Sequence, residues 1–408
     1  MTIAHYSPPF SQFHKPACLQ PDPQHAVRAV PSLAKRLAQP DSGASSRMVA
    51  RLLHGILAIV AASLAAHATA QPVNEAHGAN KAYSKNIDTS TDTKKICPPQ
   101  PVIPTPDAVI AMAKSAPDRG FLWSLRKDNR TSYLYGTIHA GKAEWMVPGP
   151  QVSRALMASS AVAMELDVTD PQVLKKVAKD TQRRPNMALP AALQKRLAAA
   201  WAASCMDAAQ LNAMAPEVAV LTLSLVPSAF EGLHATFGSE IVLAGLAPFL
   251  KKPVIGLETV EEQLAILLSK DKTQMARTVQ TALNRLDGPN PPRQAKKIAA
   301  VWQDGDYEAL ANYTNWCDCN HTADDRKINK RLLDDRNGPM ADKIDAIHTS
   351  GKTVFAAVGS LHMVGAKGLP LLLQQHGYQV ERIVFAPVKP ALIPASVPAL
   401  SAMPVPAN

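Results

Sequence analysis

Two short segments near opposite ends of the chain repeat one plan, and that repeat limits the folds available to it. Leu134-Tyr135-Gly136-Thr137-Ile138-His139 and Ala357-Val358-Gly359-Ser360-Leu361-His362 each run from an apolar strand into Gly, a hydroxyl residue, an aliphatic residue and His. A single Gly-x-x-His is close to noise in 408 residues. Two copies, each closing a strongly strand-like run, are not. Buried strands of α/β proteins end at a crevice, where a rigid sheet fixes the side chain and the strand's end opens to solvent. The repeat therefore predicts that His139 and His362 meet at one site.

The runs around these motifs set the fold class. Residues 121–125 and 132–135 flank the polar turn Lys127-Asp128-Asn129-Arg130, which predicts a hairpin. A third apolar run, 161–167, ends in acid with Glu165 and Asp167, and 253–258 is a short strand candidate ending at Glu258. Residues 353–359 form the strongest buried-strand pattern, followed by a helix over 366–376 and a closing strand over 378–385. Between these, 171–250 and 259–348 carry a 3.6-residue period broken by prolines and glycines. The expectation is an α/β fold, with a mixed central sheet built from both ends of the domain and a large helical insertion between them.

The flanks read differently. Arg51 precedes the apolar run 52–64, and Ala68-Thr69-Ala70 follows, which is the layout of a signal peptide over 48–70. The run is shorter than the ~20 residues of a spanning helix, so cleavage after Ala70 is expected. Left uncleaved, the segment would give membrane association. Residues 1–47 stand in front of it as an upstream extension, with Met48 as the expected start. Residues 71–114 read as a polar linker, 115–385 as the folded domain and 386–408 as a Pro/Ala-rich disordered tail. The expected destination is periplasmic or secreted.

Cysteine usage agrees with export. Cys97, Cys205, Cys317 and Cys319 remain after cleavage, enough for two disulfides in any of three connectivities. Cys317-Asp318-Cys319 read as a redox or metal pair would need more ligands than His321 supplies. The net charge of +10 falls to +6 without residues 1–70, and no Lys/Arg stripe interleaves with aromatics. That argues against a nucleic-acid partner.

His139 and His362 supply two imidazoles, common ligands for a divalent metal such as Mn, Co or Zn, and Glu165 is placed to be a third ligand. Glu258 ends its strand in a similar way and reads equally well as a catalytic carboxylate or as part of a strand-to-helix junction, with Thr259 capping the next helix. His234 and His348 lie in helical stretches and read as surface or satisfied core residues, and His376 as a helix C-terminal residue. The chain has no His-Glu-x-x-His, no Gly-x-Ser-x-Gly and no phosphate-cradling glycine loop.

The paired motifs, Met164-Glu165-Leu166-Asp167, Gly256-Leu257-Glu258-Thr259-Val260-Glu261-Glu262-Gln263, Arg336-Asn337 and residues 358–365 together resemble the TraB/GumN family, which includes the pheromone-shutdown proteins and the Tiki metalloproteases. The resemblance spans about 115–385. It implies an erythromycin-esterase-like, Tiki-like fold and a divalent-metal-dependent hydrolase of peptides or proteins. It centres the site on His139, Glu165 and His362, with Arg336 as a further polar member. Gly238-Ser239-Glu240 departs from the family's Gly-x-Asp by one methylene, and the resemblance assigns Glu240 no role. A rival reading is a non-catalytic peptide-, metal- or haem-binding protein with the same fold.

Overall fold

The computed structural model describes residues 97–386 apart from 289, 290 and 318. The signal peptide, the upstream extension, most of the linker and nearly all of the tail therefore lie outside the described residues.

Six strands form one sheet: β1 (Phe121–Lys127), β2 (Arg130–Thr137), β3 (Ala161–Met164), β4 (Val254–Gly256), β5 (Val354–Gly359) and β6 (Gln379–Ile383). β1 and β2 pair antiparallel through a two-residue turn in which Asp128 and Asn129 adopt φ of 51° and 56°. Both residues tolerate the left-handed region that a type I′ hairpin turn requires. The order across the sheet is β4-β3-β5-β2-β1-β6. β5 slots between β2 and β3 and runs parallel to both, with Tyr133 opposite Phe355 and Ala161 opposite Val354. The sheet is thus assembled from both ends of the domain, and its four-strand parallel portion places the exits of β2, β3, β4 and β5 on one rim. β5 is Val-Phe-Ala-Ala-Val-Gly and wholly buried, as a strand covered on both faces must be.

The intervening helices build their own smaller core. Leu193, Leu197, Trp201, Leu211, Val220, Leu223, Met275 and Val279 pack together apart from the main cluster around the sheet. Two differences from the sequence reading stand out. The last part of the polar linker is ordered: Thr105 caps a helix Pro106–Ala113 that buries Val109, and Cys97 is disulfide-bonded to Cys205. The cap and the proline at N1 start the helix, and Ile110, Met112 and Ala113 pack with buried Val109 against the main core. The other difference is His234, which sits outside any helix and pairs with Gly141 in an isolated bridge.

His348 is a satisfied core histidine. It is fully buried between the Ser132 hydroxyl at 2.8 Å and the Lys127 carbonyl at 3.0 Å. His376 ends the helix Leu369–Gln375 beside Asp342. Cys317 and Cys319 form the second disulfide.

Phe355 carries much of the sheet's packing, at 0% exposure with its ring 5.7 Å from that of Tyr135. Phe355→Ala should cost ~3–5 kcal/mol, because the neighbouring strands cannot close the cavity. Equilibrium denaturation in urea measures this, and an unchanged midpoint would contradict the packing.

Candidate functional site

The site lies on the rim where four strands end. Glu165 follows β3, Glu258 follows β4, His139 follows β2, and His362 lies in the single turn after β5. Gly359 is the point of closest approach. A Cβ built on it would lie 3.2 Å from Glu165 Oε1, 3.6 Å from His362 Cδ2 and 3.8 Å from His139 Nε2. The absence of a side chain there leaves room for the three groups to share one cradle. The Gly359 N–H donates to Glu165 Oε1 at 2.9 Å.

Arg336 ties the carboxylates together. It stands in the helix Asp335–Thr349, directly after the π-helical turn Lys330–Asp334. Its Nε donates to Glu258 Oε1 at 2.8 Å, and Nη2 donates to Glu258 Oε2 and Glu165 Oε2, each at 2.5 Å. Nη1 donates to the Leu332 carbonyl at 2.9 Å and to His362 Nε2 at 3.2 Å. A guanidinium has five N–H groups, and all five are engaged. Arg336 thus lies between Glu165, Glu258 and His362 as a strut with no N–H left over. Glu258 is likewise held from both oxygens and is 9% exposed, so its geometry favours supporting Arg336 over acting as a free carboxylate.

Gln263 completes the cluster, donating from Nε2 to Glu165 Oε2 at 3.3 Å and Glu258 Oε2 at 3.0 Å. It is placed by the helix Val260–Leu267, whose start is fixed by a capping box between Thr259 and Glu262. The sequence contains that box, and it was the available signal for Gln263.

The two histidines are held unequally. His362 is 3% exposed, and its Nδ1 lies 2.5 Å from Asn337 Oδ1. Arg336 can only donate, so Nε2 carries the lone pair and Nδ1 the proton. Burial lowers its pKa to about 4, aided by Arg336 against the opposing fields of Glu165 and Glu258. His139 contacts Glu240 Oε1 through Nδ1, and that hydrogen bond raises its pKa to about 9. Its side chain is 70% exposed, so solvent screens the pair and its worth to stability is small.

Glu240 owes its position to the start of the helix Ser239–Phe249, which is stitched to the first motif. The Ser239 N–H donates to the Ile138 carbonyl, and the Ile138 N–H donates to Ser239 Oγ, both at 2.9 Å. Asn337, Gln263 and Glu240 are therefore the site residues that reading the sequence left without a role.

The residue types fit a divalent cation. Both imidazoles commit Nδ1 to a protein oxygen, the arrangement that orients Nε2 toward a metal, and Glu165 adds a carboxylate at a cradle a Cβ would fill. Among the described residues, no three His, Cys, Asp or Glu side chains close to coordination spacing. Arg336 instead answers the charge of both carboxylates.

Glu165 gives the pH dependence. Burial alone would raise its pKa, but His362, Arg336, His139 and the Gly359 N–H outweigh it and bring the carboxyl to about 2. His362 is itself neutral above about pH 4, so at neutral pH the field comes from Arg336 and from His139, which its pKa of about 9 leaves charged. A depressed carboxylate stabilises the fold above its unfolded pKa, near 4.5, and loses that contribution as pH falls toward 2. Melting temperature followed from pH 6 to pH 2 should therefore fall less steeply for Glu165→Gln than for the wild type. Parallel curves would show that Glu165 does not titrate in this way.

The TraB/PrgY/gumN family matches residues 121–382. The chain is 26% identical over 309 residues to the Metalloprotease TIKI1 of Danio rerio, covering 64% of this chain and 62% of that protein. It is also 26% identical over 262 residues to YbaP of Shigella flexneri, an uncharacterized protein, covering 60% of this chain and 89% of that one. The chain thus spans under two thirds of the length of the metalloprotease relative. No solved structure matches. With a mixed sheet whose two Gly-x-x-His exits meet at one rim, and with the family matching nearly all of the described domain, the chain belongs to the TraB/PrgY/gumN family.

Proposed function

We propose that the chain is an exported, divalent-metal-dependent peptidase, acting on peptides or proteins in the periplasm or outside the cell. The observation that carries this is the cradle at Gly359, where His139 Nε2, Glu165 Oε1 and the His362 ring approach one point from three strands. Two disulfides among the four cysteines of the domain support an oxidising compartment. The relative named as a metalloprotease supports the reaction class.

In this reading His139, Glu165 and His362 hold the cation, which can be Mn, Co or Zn. When bound it supplies Lewis-acid polarisation of a peptide carbonyl and a more acidic water. Asn337 keeps Nδ1–H on His362 and leaves its Nε2 lone pair available, whereas His139, held as an imidazolium by Glu240, would have to lose its Nε2 proton to bind the cation. With the His362 Nε2 lone pair given to a cation, the Arg336 Nη1–H that now points at it would be free to donate to a substrate oxygen. Glu258 and Gln263 keep the guanidinium in place while this happens.

A second reading, a non-catalytic peptide, metal or haem binder on the same fold, is favoured by one observation. Arg336 already satisfies both carboxylates, and no coordination spacing is closed among the described residues.

One experiment separates the two. Purified protein is stripped with chelator, reloaded with Mn, Co or Zn, and assayed on a peptide library. Activity should appear only with metal and should fall by orders of magnitude in His139→Ala, His362→Ala and Glu165→Gln, with each variant still folded by circular dichroism. Wild-type turnover in all three, or cleavage that ignores chelator, would reject the peptidase reading. Metal uptake without cleavage would support the binder.

A further inference from the structure

A second pocket lies on one face of the sheet, beside the segment that follows β5. It is a cavity of about 390 Å³ lined by Trp123, Tyr307, Met363, Leu371, Gln374 and Arg382, among others. That volume falls within the range of small-ligand sites, which combine apolar walls with a few polar groups. Trp123 and Arg382 are cross-strand partners on β1 and β6 and so share a face of the sheet. Tyr307 packs edge-on against Trp123, with ring centroids 5.8 Å apart. The opposite wall comes from the helix Leu369–Gln375, where Leu371 is 41% exposed.

Arg382 is the unusual member. Its guanidinium lies over the Tyr307 ring at 4.9 Å, and among the described residues it has no carboxylate partner. On the opposite face of the same two strands, Arg126 is paired with Glu381 at 3.0 Å. A cation stacked flat on an aromatic ring keeps its N–H edge available for a planar anion, which it binds bidentately.

Topology places this pocket relative to the cradle. β6 is antiparallel to β1, and β1 is antiparallel to β2. β6 therefore runs in the direction of β2 and β5, and through Trp123 Arg382 stands level with Leu134 of β2, three residues short of that strand's end at Thr137, which is itself level with Gly359. The strand order puts β6 two strands from β2 and three from β5. At ~4.8 Å per strand and ~3.3 Å per residue, Gly359 lies ~14 Å across and ~10 Å along the sheet from Arg382, roughly 17 Å in all. One connecting segment joins the two places, since His362 belongs to the cradle while Met363, Gly365 and Gly368 line the cavity.

We propose that this cavity is a substrate subsite for the carboxy-terminus of a peptide, with Arg382 binding the terminal carboxylate and an apolar terminal side chain lying among Trp123, Met363 and Leu371. Extended chain advances ~3.3 Å per residue, so a peptide anchored at Arg382 reaches the cradle after roughly five or six residues. The hydrolysed bond would then be the one that releases a carboxy-terminal penta- or hexapeptide, with water as the second reactant. The cleavage position rests on the peptidase reading above. Occupancy of the cavity does not.

The test uses the full chain and two probes, N-acetyl-Ala-Ala-Ala-Leu with a free carboxylate and the same peptide as its amide. Binding is followed by NMR through the indole N–H resonance of Trp123. The acid should shift that resonance and bind roughly tenfold more tightly than the amide, the size expected for a charge-assisted hydrogen bond. Arg382→Gln should bring the acid down to the affinity of the amide. Leu371→Asp, which sets a negative charge at the rim, should weaken the acid more than the amide. His362→Ala should leave acid binding unchanged, so loss of turnover in that variant does not bear on the subsite. Equal affinity for acid and amide in the wild type, or undiminished acid binding by Arg382→Gln, would overturn the proposal. For longer peptides with an apolar last residue, mass spectrometry should find penta- or hexapeptide products, and random product lengths would reject the cleavage position.

Discussion

The parallel pairing of β5 with both β2 and β3 is the constraint on which the other features depend. It forces a strand from the end of the domain between two strands from its beginning, with the helical insertion looped out. Parallel strands end on the same side, so the Gly-x-x-His after β2 and the Gly-x-x-His after β5 meet although they are remote in sequence. The same pairing sets Glu165, at the end of β3, beside Gly359. The wholly apolar β5 is what makes this arrangement favourable, since it buries every residue it contributes.

Around that rim, electrostatics is organised by one guanidinium. Glu165 and Glu258 would repel each other if left alone in a half-buried site, and Arg336 bonds to both while also supporting His362. A buried ion network of this kind is costly to break, because removing one partner strands the charges of the others. It also makes the two halves of the repeat chemically unequal. His362 faces Arg336 and a neutral amide and is held neutral, whereas His139 faces a carboxylate and is pushed toward the imidazolium.

The helical insertion contributes more than bulk. Its helix Ser239–Phe249 begins against the first motif, and the close approach leaves no space for side chains at the contact. A Cβ on Gly238 would lie 2.6 Å from the His139 carbonyl oxygen, and one on Gly141 would lie 2.2 Å from that of Phe237. The glycine before Ser239 is thus required by proximity. Glu240, the residue after Ser239, is thereby brought into contact with His139.

What the sequence determined by itself was local or periodic. The hairpin, the strands at 161–164 and 354–359, the helical insertion and the residues His139, Glu165 and His362 were all legible. Hydrophobic period and strand-ending glycines act over a few residues and can be read without knowing the neighbours. The ordered end of the linker went unread although Val109, Ile110, Met112 and Ala113 share one helical face behind the Thr105-Pro106 cap, and the disulfide to Cys205 leaves no pattern in the chain. The partners of the site were decided only in three dimensions. The sequence marks Arg336 only as a polar member of the site, while the fold engages all five of its N–H groups, and Asn337, Gln263 and Glu240 have roles only through the elements that carry them. A side chain's type fixes what it can donate or accept. Which acceptor it meets depends on the register and crossing of elements distant in sequence, and that is set by burial of the whole sheet.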